Sequence, residues 1–530
     1  MSLRNARRWE LLLKFPAGSK GMSGIWVRLR ARCTATMTDL CDSGWRSAAR
    51  QAVTINILPD NVFLDIFDVC LRNPHKSPFH RTWEWQRLVR VCRRWRQIIF
   101  ASPRRLDLHL ICTYGTSVRN HLSCWPALPI IVDYYLYWDS DNGQSPAPDD
   151  DDNVLAALEH PDRVRCVEIA TTGSLLGKVA TVMQEPFPAL TLLRLSSNDG
   201  DVPTLPTAFL GGSAPRLQEI CLDGIPFLTL PTLLLSTSDL VVLKLDNIPD
   251  TGYISPEAMV ACMIALTRLR TLSIGFRSPD SRSDETITRP APQTRAVLPA
   301  LAFFDFRGIS KYLENLIAQI DTPRLDYFRI TYLNRSLVDV PQLSQFISRT
   351  ESLEPDGLKH AELNFCSSNI NIRLDCEQVG RRQSRVFLQI SCHGLDRQVS
   401  LLAQLLGQLP TMLSNVGHLS ILAHCLQLGW EDDEDDDIGD IGYLELLRPF
   451  TSVQTLRLHG HSAGPVALAL DIEAEEMVDA EVLPFLHLLW LQDLPVASLE
   501  NFTAVRSHSR CPVTVVSRER EFLNRCGPQR

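Results

Sequence analysis

The sequence predicts an α/β protein in which a short module of three helices precedes a long array of parallel strands joined by helical returns. Two observations support this fold class. Between residues 55 and 105, apolar side chains recur at the spacing of amphipathic helices. Further along, from Val164 to Leu358, a short apolar pattern recurs at intervals that range from 23 residues (Leu217 to Leu240) to 33 residues (Leu325 to Leu358). Recurrence at this length is typical of stacked repeats.

The first 54 residues are predicted to form a basic, disordered tail, because Arg and Lys far outnumber the acids there. An organelle presequence and a basic interaction arm are alternatives, and Met37 offers an alternative start. At the other end, residues 511–530 are predicted to be a polar tail. Within it, Val513 to Val516 is expected to form a strand that caps the array.

The helical module is predicted to begin near Pro59, a residue well suited to the first turn of a helix. Two apolar stripes at helical spacing follow. The first stripe is Phe63, Ile66, Phe67 and Cys70, and the second is Trp85, Leu88, Cys92, Trp95 and Ile99. A module of this size is near the lower limit for independent folding. We therefore expect a partner helix or an adjoining domain to cover it, the alternative being that it merely caps the domain that follows.

The residues of this module resemble the F-box motif, which is Leu-Pro-x-Glu, an apolar helix, and then Val-Cys-Arg-x-Trp. The matching residues are Leu58-Pro59, Val62, Ile66-Phe67, Val91-Cys92-Arg93 and Trp95-Arg96. The resemblance covers residues 55–106. Asn61 stands where the family usually has Glu.

The resemblance implies that the module docks on the adaptor subunit of an SCF-type cullin–RING ubiquitin ligase, and through it on a cullin. The rest of the chain would then hold a protein substrate. The adaptor-binding residues that the resemblance implies are Leu58, Pro59, Val62, Ile66, Phe67, Leu88, Val91 and Trp95.

Residues 107–160 are predicted to form a connecting or capping segment. Short strands are expected at Leu108–Ile111 and Leu128–Tyr134. The polar stretch that follows ends in four consecutive acids, Asp149 to Asp152. We expect either a solvated loop there or the start of a helix over Val154–Leu158, because negative charge suits a helix N-terminus.

Residues 161–510 are predicted to form an irregular leucine-rich-repeat array. The pattern is an apolar residue, two others, an apolar residue, one other and an apolar residue, which is the L-x-x-L-x-L core of such repeats. Its copies are Val164/Val167/Ile169, Leu190/Leu193/Leu195, Leu217/Ile220/Leu222, Leu240/Leu243/Leu245, Leu269/Leu272/Ile274, Leu301/Phe304/Phe306, Leu325/Phe328/Ile330, Leu358/Ala361/Leu363, Val416/Leu419/Ile421, Val453/Leu456/Leu458 and Leu486/Leu489/Leu491, with a weak copy near Leu388/Ile390.

Helical returns are expected between these copies, for example at Pro256–Thr267 and Val399–Leu409. Most copies lack the Asn that usually follows the third apolar position, with Asn198 and Asn247 the nearest candidates, so the array should be irregular. Residues 277–294 and the acidic run at 431–437 are predicted to be solvated loops. An ordinary α/β domain with coincidental strands is the alternative.

Side chains between the second and third apolar positions should point away from the core, because successive strand residues face opposite sides of a sheet. We expect them to form a concave, substrate-binding face, although each one could simply be a solvated strand residue. Arg and Trp are frequent binding anchors. The predicted substrate-binding residues are Arg194, Lys244, Asp305, Arg329, Glu362, Arg457 and Trp490.

Gly460-His461-Ser462-Ala463-Gly464 matches the nucleophile elbow of serine hydrolases, and Asp493 and His508 follow in the required order. However, no oxyanion segment precedes it and little of the chain follows it. We therefore predict no catalytic residue and no enzymatic activity, and a hydrolase at Ser462 remains a remote alternative. His459 and His461 lack an evident third ligand, so no metal and no cofactor are expected.

Composition limits the other possibilities. The chain has 530 residues and a net charge of -8, which argues against nucleic-acid binding through phosphate contacts. No apolar run approaches the roughly 18 residues of a membrane span. The 15 cysteines form no Cys-x-x-Cys pair and no secretory signal is evident, so cytoplasm or nucleus is expected. The leading hypothesis is a substrate receptor of a ubiquitin ligase; the second is a repeat scaffold for protein–protein interaction outside a ligase.

Overall fold

A computed structural model of the protein describes residues 57–71, 82–113, 117–135, 148–197, 199, 204–278, 295–333, 339–353, 358–378, 381–423, 439–460, 463–476, 482–492, 499–507 and 511–518. The chain divides into two compact units, Met1–Asp107 and Leu108–Arg530. The tail predicted at 1–54, the acidic run at 431–437 and Asn198 lie outside the described residues, as does the loop at 279–294.

The described part of the first unit contains three helices, α1 (Asp60–Leu71), α2 (Thr82–Leu88) and α3 (Arg93–Ala101). Pro59 directly precedes α1, and Asp60 places a carboxylate in its first turn, where the helix dipole favours it. A turn at 89–92 separates α2 from α3, so the second apolar stripe is divided between two helices. Cys92 ends this turn and caps α3, because its sulfur accepts a hydrogen bond from the backbone N–H of Trp95 at 3.4 Å.

Three aromatic rings form the core of the first unit. The Trp95 ring contacts Phe63 and Phe67 edge-on, with centroids 5.8 and 4.9 Å apart. The apolar stripe predicted for α1 needs one correction, because Cys70 is exposed and Leu71 is buried instead. Ile66 is only half-buried. The buried face of α1 is therefore rotated slightly about the helix axis relative to the face that the sequence predicts.

A large, mostly parallel sheet organises the second unit. Within the described residues it contains sixteen strands, in the order β1-β2-β3-β4-β5-β6-β7-β9-β11-β14-β13-β12-β15-β16-β17-β18, and β8 pairs with β10 separately. The strands are β1 (Leu110–Cys112), β2 (Ile130–Tyr135), β3 (Val164–Thr171), β4 (Leu192–Ser197), β5 (Glu219–Asp223), β6 (Val242–Ile248), β7 (Thr271–Phe276), β8 (Ala296–Val297), β9 (Phe303–Gly308), β10 (Ile320–Asp321), β11 (Tyr327–Tyr332), β12 (Leu358–Phe365), β13 (Asn369–Gln378), β14 (Arg381–Ser391), β15 (His418–Ala423), β16 (Thr455–Gly460), β17 (Leu488–Gln492) and β18 (Thr514–Arg518).

Helices connect most of these strands, and helices that follow one another along the chain pack together. They are α4 (Val118–Cys124), α5 (Pro148–Leu158), α6 (Gly173–Val182), α7 (Leu230–Leu234), α8 (Pro256–Met263), α9 (Ser310–Ile317), α10 (Pro341–Arg349), α11 (Leu395–Gly407), α12 (Pro410–Leu413), α13 (Gly439–Leu447), α14 (Ala463–Glu476) and α15 (Glu500–Ser507). The returns expected at 256–267 and 399–409 are α8 and α11. None of the described helices is long and apolar enough to cross a membrane.

The apolar pattern of the sequence forms the core between sheet and helices. Every residue of the eleven complete copies is buried, with at most 3% of its surface exposed. Phe328 on β11 contacts Phe346 on α10 with ring centroids 5.4 Å apart, and Phe306 stacks on Tyr312 of α9 at 5.8 Å. The predicted class, α/β with a large and mostly parallel sheet, is therefore confirmed.

One part of the sheet differs from a regular succession of parallel strands. β12, β13 and β14 form an antiparallel meander. Between β11 and β15 these three strands follow one another in the sheet in the reverse of their order in the chain. β14 pairs with β11, whereas β12 pairs with β15. The weak copy near Leu388 is consequently a full member of the sheet, since Leu388 lies opposite Ile330.

The segments on either side of the predicted array also contribute strands. β1 and β2 are the first two members of the sheet, so residues 107–160 do more than connect. The four acids at 149–152 lie in the first turns of α5, which agrees with the helix N-terminus considered for them. At the other end, the strand expected at 513–516 is observed as β18, the last strand of the sheet.

Candidate functional site

The side chains between the second and third apolar positions are aligned across the sheet in a single row, called here the first row. Its members, from β3 to β17 in the order of the sheet, are Glu168, Arg194, Cys221, Lys244, Ser273, Asp305, Arg329, Phe387, Arg373, Glu362, Ser420, Arg457 and Trp490. All seven predicted substrate-binding residues belong to it. The meander adds Phe387 and Arg373, which the sequence analysis did not single out.

A second row lies two residues further along each strand, on the same face of the sheet. It contains Ser196, Asp223, Asp246, Gly275, Arg307, Thr331, Gln389, Asn371 and Asn364. The sequence analysis missed this row because it stopped at the third apolar residue of each copy. Extending the strand alternation by one more step would have found it.

A depression of about 850 Å³ opens on this face of the sheet, called here the charged depression. Its acids are Asp223, Asp246 and Asp305, and its arginines are Arg307, Arg329 and Arg373. The remaining lining residues are Asn247, Ser273, Gly275, Tyr327, Thr331, Phe387 and Gln389. Acids dominate on β5 and β6, whereas arginines dominate on β11 and β13, so the sign of the charge changes along the sheet.

The acidic side is held in place by short hydrogen bonds. Asp223 accepts one from the side-chain amide of Asn247 at 2.7 Å, and Asp246 accepts one from the Ser273 hydroxyl at 2.7 Å. Asn247 has a φ of 50° at a register shift in β6, and this left-handed conformation is one that Asn tolerates well. The bulge therefore directs its amide toward Asp223.

Asp305 lies where the acidic side meets the basic side. Burial raises the pKa of Asp305, and the charge of Asp246 adds to this effect, whereas Arg329 and Lys244 oppose it. The nearest Asp305–Arg329 approach is 3.6 Å, between Oδ2 and Nη1. The pair is therefore a loose contact and leaves Arg329 able to make others.

Phe387 lies between two of the arginines of the basic side. The guanidinium carbon of Arg329 is 5.6 Å from the Phe387 ring centroid, and that of Arg373 is 5.7 Å away. Arg329 also donates from Nε and Nη2 to the Tyr327 hydroxyl, at 3.2 and 2.9 Å. Cation–π contact with Phe387 therefore helps to fix both guanidiniums, and Arg373 Nη1 also lies 3.5 Å from Glu362 Oε1.

Arg194, predicted to bind substrate, is instead part of an internal ion network. It donates to Glu168 at 3.1 Å and to Glu219 at 2.6 Å. Burial raises the pKa of Glu168, and Arg194 counteracts this effect. Burial alone would lower the pKa of Arg194, but the hydrogen bond to Glu219 and the two carboxylate charges raise it overall. A guanidinium with two carboxylates already in place has little capacity left for a ligand.

Trp490 differs from the expectation of an exposed anchor. It is half-buried, and its indole Nε1 is buried with no hydrogen-bond partner in the described part of the chain. Arg457 lies beside it on β16 and is exposed. A smaller hollow nearby is lined by Glu362, Arg457 and the stacked rings of His360 and His418, whose centroids are 4.6 Å apart.

The first unit presents most of its motif residues at the surface. Pro59 and Val91 are exposed, and five others are half-buried, namely Leu58, Val62, Ile66, Leu88 and Trp95. Phe67 is a correction to the predicted adaptor-binding set. It is fully buried against Phe63 and Trp95, so it supports the module from inside and has no surface to offer a partner.

The remaining chemical motif cannot be placed. Ser462, Asp493 and His508 all lie outside the described residues. In the part that the structure describes, no group of three or more His, Cys, Asp or Glu residues could hold a metal ion.

No protein-family model matches the chain, and no curated protein matches it either.

Proposed function

We propose that the protein is the substrate-recognition subunit of an SCF-type cullin–RING ubiquitin ligase. The observation that carries the proposal is the way Arg94 joins the two halves of the F-box-like motif. Arg94 Nη2 donates to the Leu58 carbonyl at 2.6 Å and to Asp60 at 2.7 Å, and its guanidinium carbon lies 4.9 Å from the Phe63 ring centroid. The Leu58-Pro59 segment is thereby fixed beside the helix that carries the Val-Cys-Arg-x-Trp half.

This arrangement supports a docking role because it leaves apolar motif residues accessible. Val91 is 43% exposed, Pro59 is exposed and Leu58 is half-buried. Exposed apolar side chains in a small helical module are typical of a surface that a partner covers. The adaptor subunit would fill that place, and a cullin would join through it.

The second unit would hold the substrate as an irregular leucine-rich-repeat solenoid. The buried apolar copies, the parallel pairing and the strand–helix succession all support this interpretation. Two aligned rows of polar and charged side chains on the face without the apolar pattern supply a binding surface. The ligase reaction itself would take place on other subunits.

The receptor would act by proximity. Binding a substrate on one unit and the adaptor on the other converts ubiquitin transfer from a bimolecular into an intracomplex step, which raises the effective concentration of the acceptor lysine. No catalytic group, metal or cofactor of its own is required for this role. Cytoplasm or nucleus, where such ligases operate, is the compartment that the proposal implies.

Co-expression of the full chain with the adaptor subunit of such a ligase tests the proposal. We expect co-elution in size-exclusion chromatography, and loss of co-elution for Leu58→Ala/Pro59→Ala. The matched control is Leu228→Ala/Leu235→Ala, which truncates two exposed leucines in the second unit. A wild-type chain that elutes without the adaptor would refute the proposal.

A repeat scaffold outside any ligase is the second candidate. The observation that favours it is Asn61, which is exposed at the position where the family usually presents a Glu carboxylate. Restoring the carboxylate with Asn61→Glu distinguishes the two candidates. If the missing carboxylate is what ended adaptor binding, the scaffold co-elutes with the adaptor only as Asn61→Glu, whereas a ligase receptor already co-elutes as the wild type.

A further inference from the structure

The floor of the charged depression is a residue without a side chain. Gly275 lies in the second row, between Asp246 on β6 and Arg307 on β9. A Cβ placed on Gly275 would meet its nearest atoms, in Arg307, Asn247 and Asp246, at 3.6 Å, which is ordinary van der Waals contact. The backbone therefore accepts a side chain at this position, and the hollow above it is open because the sequence places glycine there.

Opposite charges face this hollow without neutralising each other. Two strand spacings, roughly 10 Å, separate the backbones of β6 and β9. Among the described residues no ion pair joins Asp246 to Arg307, and Asp305 pairs with Arg329 instead. Arg307 is exposed and makes no ion pair or hydrogen bond with any residue that the structure describes. Asp246 accepts its hydrogen bond from the neutral hydroxyl of Ser273. Each charge is therefore available to a ligand of the opposite sign.

The residues beside Arg307 and beside Asp246 each favour a particular kind of ligand group. Beyond Arg307 in the second row lie Thr331 on the adjacent strand and Gln389 one strand further, and the Thr331 hydroxyl can donate to a carboxylate that Arg307 binds. Asp223 lies beside Asp246 on the adjacent strand, and two carboxylates together favour an ammonium or guanidinium group.

We infer that the charged depression binds an extended segment of a protein substrate that carries Lys or Arg at one position and Asp or Glu two to four residues away. The basic side chain would lie at Asp223 and Asp246, and the acidic one at Arg307. An extended chain rises about 3.3 Å per residue, so roughly three residues span the two charges. The inference rests on the proposed function, because it names the class of substrate that this unit would present to the ligase.

Selection of a display library of random dodecapeptides on the full chain tests the inference. We expect the enriched peptides to pair a basic with an acidic residue at this spacing more often than the unselected library does. The selection needs no adaptor, so its result is independent of adaptor co-elution. A chain that selects such peptides but elutes without the adaptor would overturn the proposed function and leave the chemistry of the depression standing.

Two variants locate the binding. Arg307→Ala removes a charge-assisted contact and should weaken the dissociation constant of a selected peptide about tenfold or more. Gly275→Met leaves every charge in place and puts a side chain on the floor of the hollow between the two charges, so it should weaken binding about tenfold or more. Arg216→Ala, at another exposed arginine, and Gly407→Met, at a glycine with open space around it, are the matched controls.

Three results would overturn the inference. One is enrichment of peptides without the charge pair, and another is retention of full affinity by both variants. The third is enrichment by the wild-type chain that does not exceed enrichment by Gly275→Met. Thermal unfolding of both variants shows whether they are folded, and because Arg307 is exposed and lacks a partner, its removal should leave the melting temperature unchanged.

Discussion

Arg94 and Asp60 are 34 positions apart in the sequence, yet their side chains meet at 2.7 Å in the first unit. The same guanidinium also holds the Leu58 carbonyl. One residue of α3 therefore fixes the start of α1, where the exposed motif residues begin. The contact therefore ties the proposed docking residues Leu58 and Pro59 to α3.

Replacing Arg94 should loosen the start of α1. Arg94→Ala removes the hydrogen bonds to Leu58 and Asp60, and we expect a loss of about 1 kcal/mol, since the pair is partly exposed. Hydrogen exchange of residues 58–64, followed by mass spectrometry, should become faster. Arg93→Ala, at the exposed neighbouring position, should leave the exchange rate unchanged. Equal protection in both variants would show that the Arg94 contacts do not order this segment.

Variants at Phe67 and Val91 should distinguish a residue that folding requires from a residue that docking requires. Phe67→Ala opens a cavity in a fully buried aromatic cluster and should cost about 3–5 kcal/mol of unfolding free energy. Val91→Ala changes an exposed side chain and should stay within about 0.5 kcal/mol. Urea unfolding measures both. If Val91→Ala nevertheless weakens co-elution with the adaptor, Val91 is a contact residue; unchanged co-elution would remove it from the docking surface.

Arg194 should contribute to the stability of the fold. Arg194→Ala leaves the buried carboxylate of Glu168 without its counter-ion, and we expect a loss of about 2 kcal/mol, below the roughly 3–5 kcal/mol of a fully buried pair because Arg194 is 43% exposed. The double variant Arg194→Met/Glu168→Gln should recover part of this loss. Urea unfolding of both chains measures the difference. No recovery in the double variant would mean that the destabilisation does not come from the unpaired Glu168 charge.

Glu314 should make stability depend on pH. Its buried carboxylate on α9 accepts the backbone N–H groups of Gln342 at 2.6 Å and Leu343 at 3.0 Å, at the start of α10. Burial raises the pKa of Glu314 to about 7 from its ordinary value near 4.5, against the effect of these two hydrogen bonds. Between these values the folded state holds a proton that the unfolded state has lost, so stability falls as the pH rises through this window.

The size of this effect is about 3 kcal/mol, since each pKa unit corresponds to about 1.4 kcal/mol. In Glu314→Gln a neutral amide replaces the carboxyl group, so this pH-dependent contribution to the free energy of unfolding should vanish. The stability of the variant relative to the wild type should therefore increase between pH 5 and pH 8. Glu185→Gln, at an exposed position, is the control. Parallel stability curves for the wild type and Glu314→Gln would contradict the assignment. Urea unfolding at a series of pH values provides the curves.

The sequence was sufficient to predict the core of the sheet. Residues such as Leu243 and Leu245 are separated by one position, so a strand places both on one face and Lys244 on the other. This local rule holds wherever a strand forms. The class of fold and the first row of side chains follow from it directly.

The order of the strands in the meander did not follow from the sequence. Asn369 to Cys376 alternate strictly between polar and apolar residues, which indicates a strand but does not identify its partners. The pairing of β14 with β11 is decided by contacts between residues far apart in the chain. The charged depression was missed for the same reason, because Arg373 and Phe387 join Arg329 only through this pairing.

The antiparallel meander has a consequence for cooperative unfolding. In the described sheet, β11 bonds to β14 and β15 bonds to β12, so the hydrogen-bond ladder between the two parallel blocks passes through β12, β13 and β14. The meander therefore couples the two parallel blocks of the sheet by backbone hydrogen bonds. Weakening it alone would let the block from β1 to β11 and the block from β15 to β18 melt at separate temperatures.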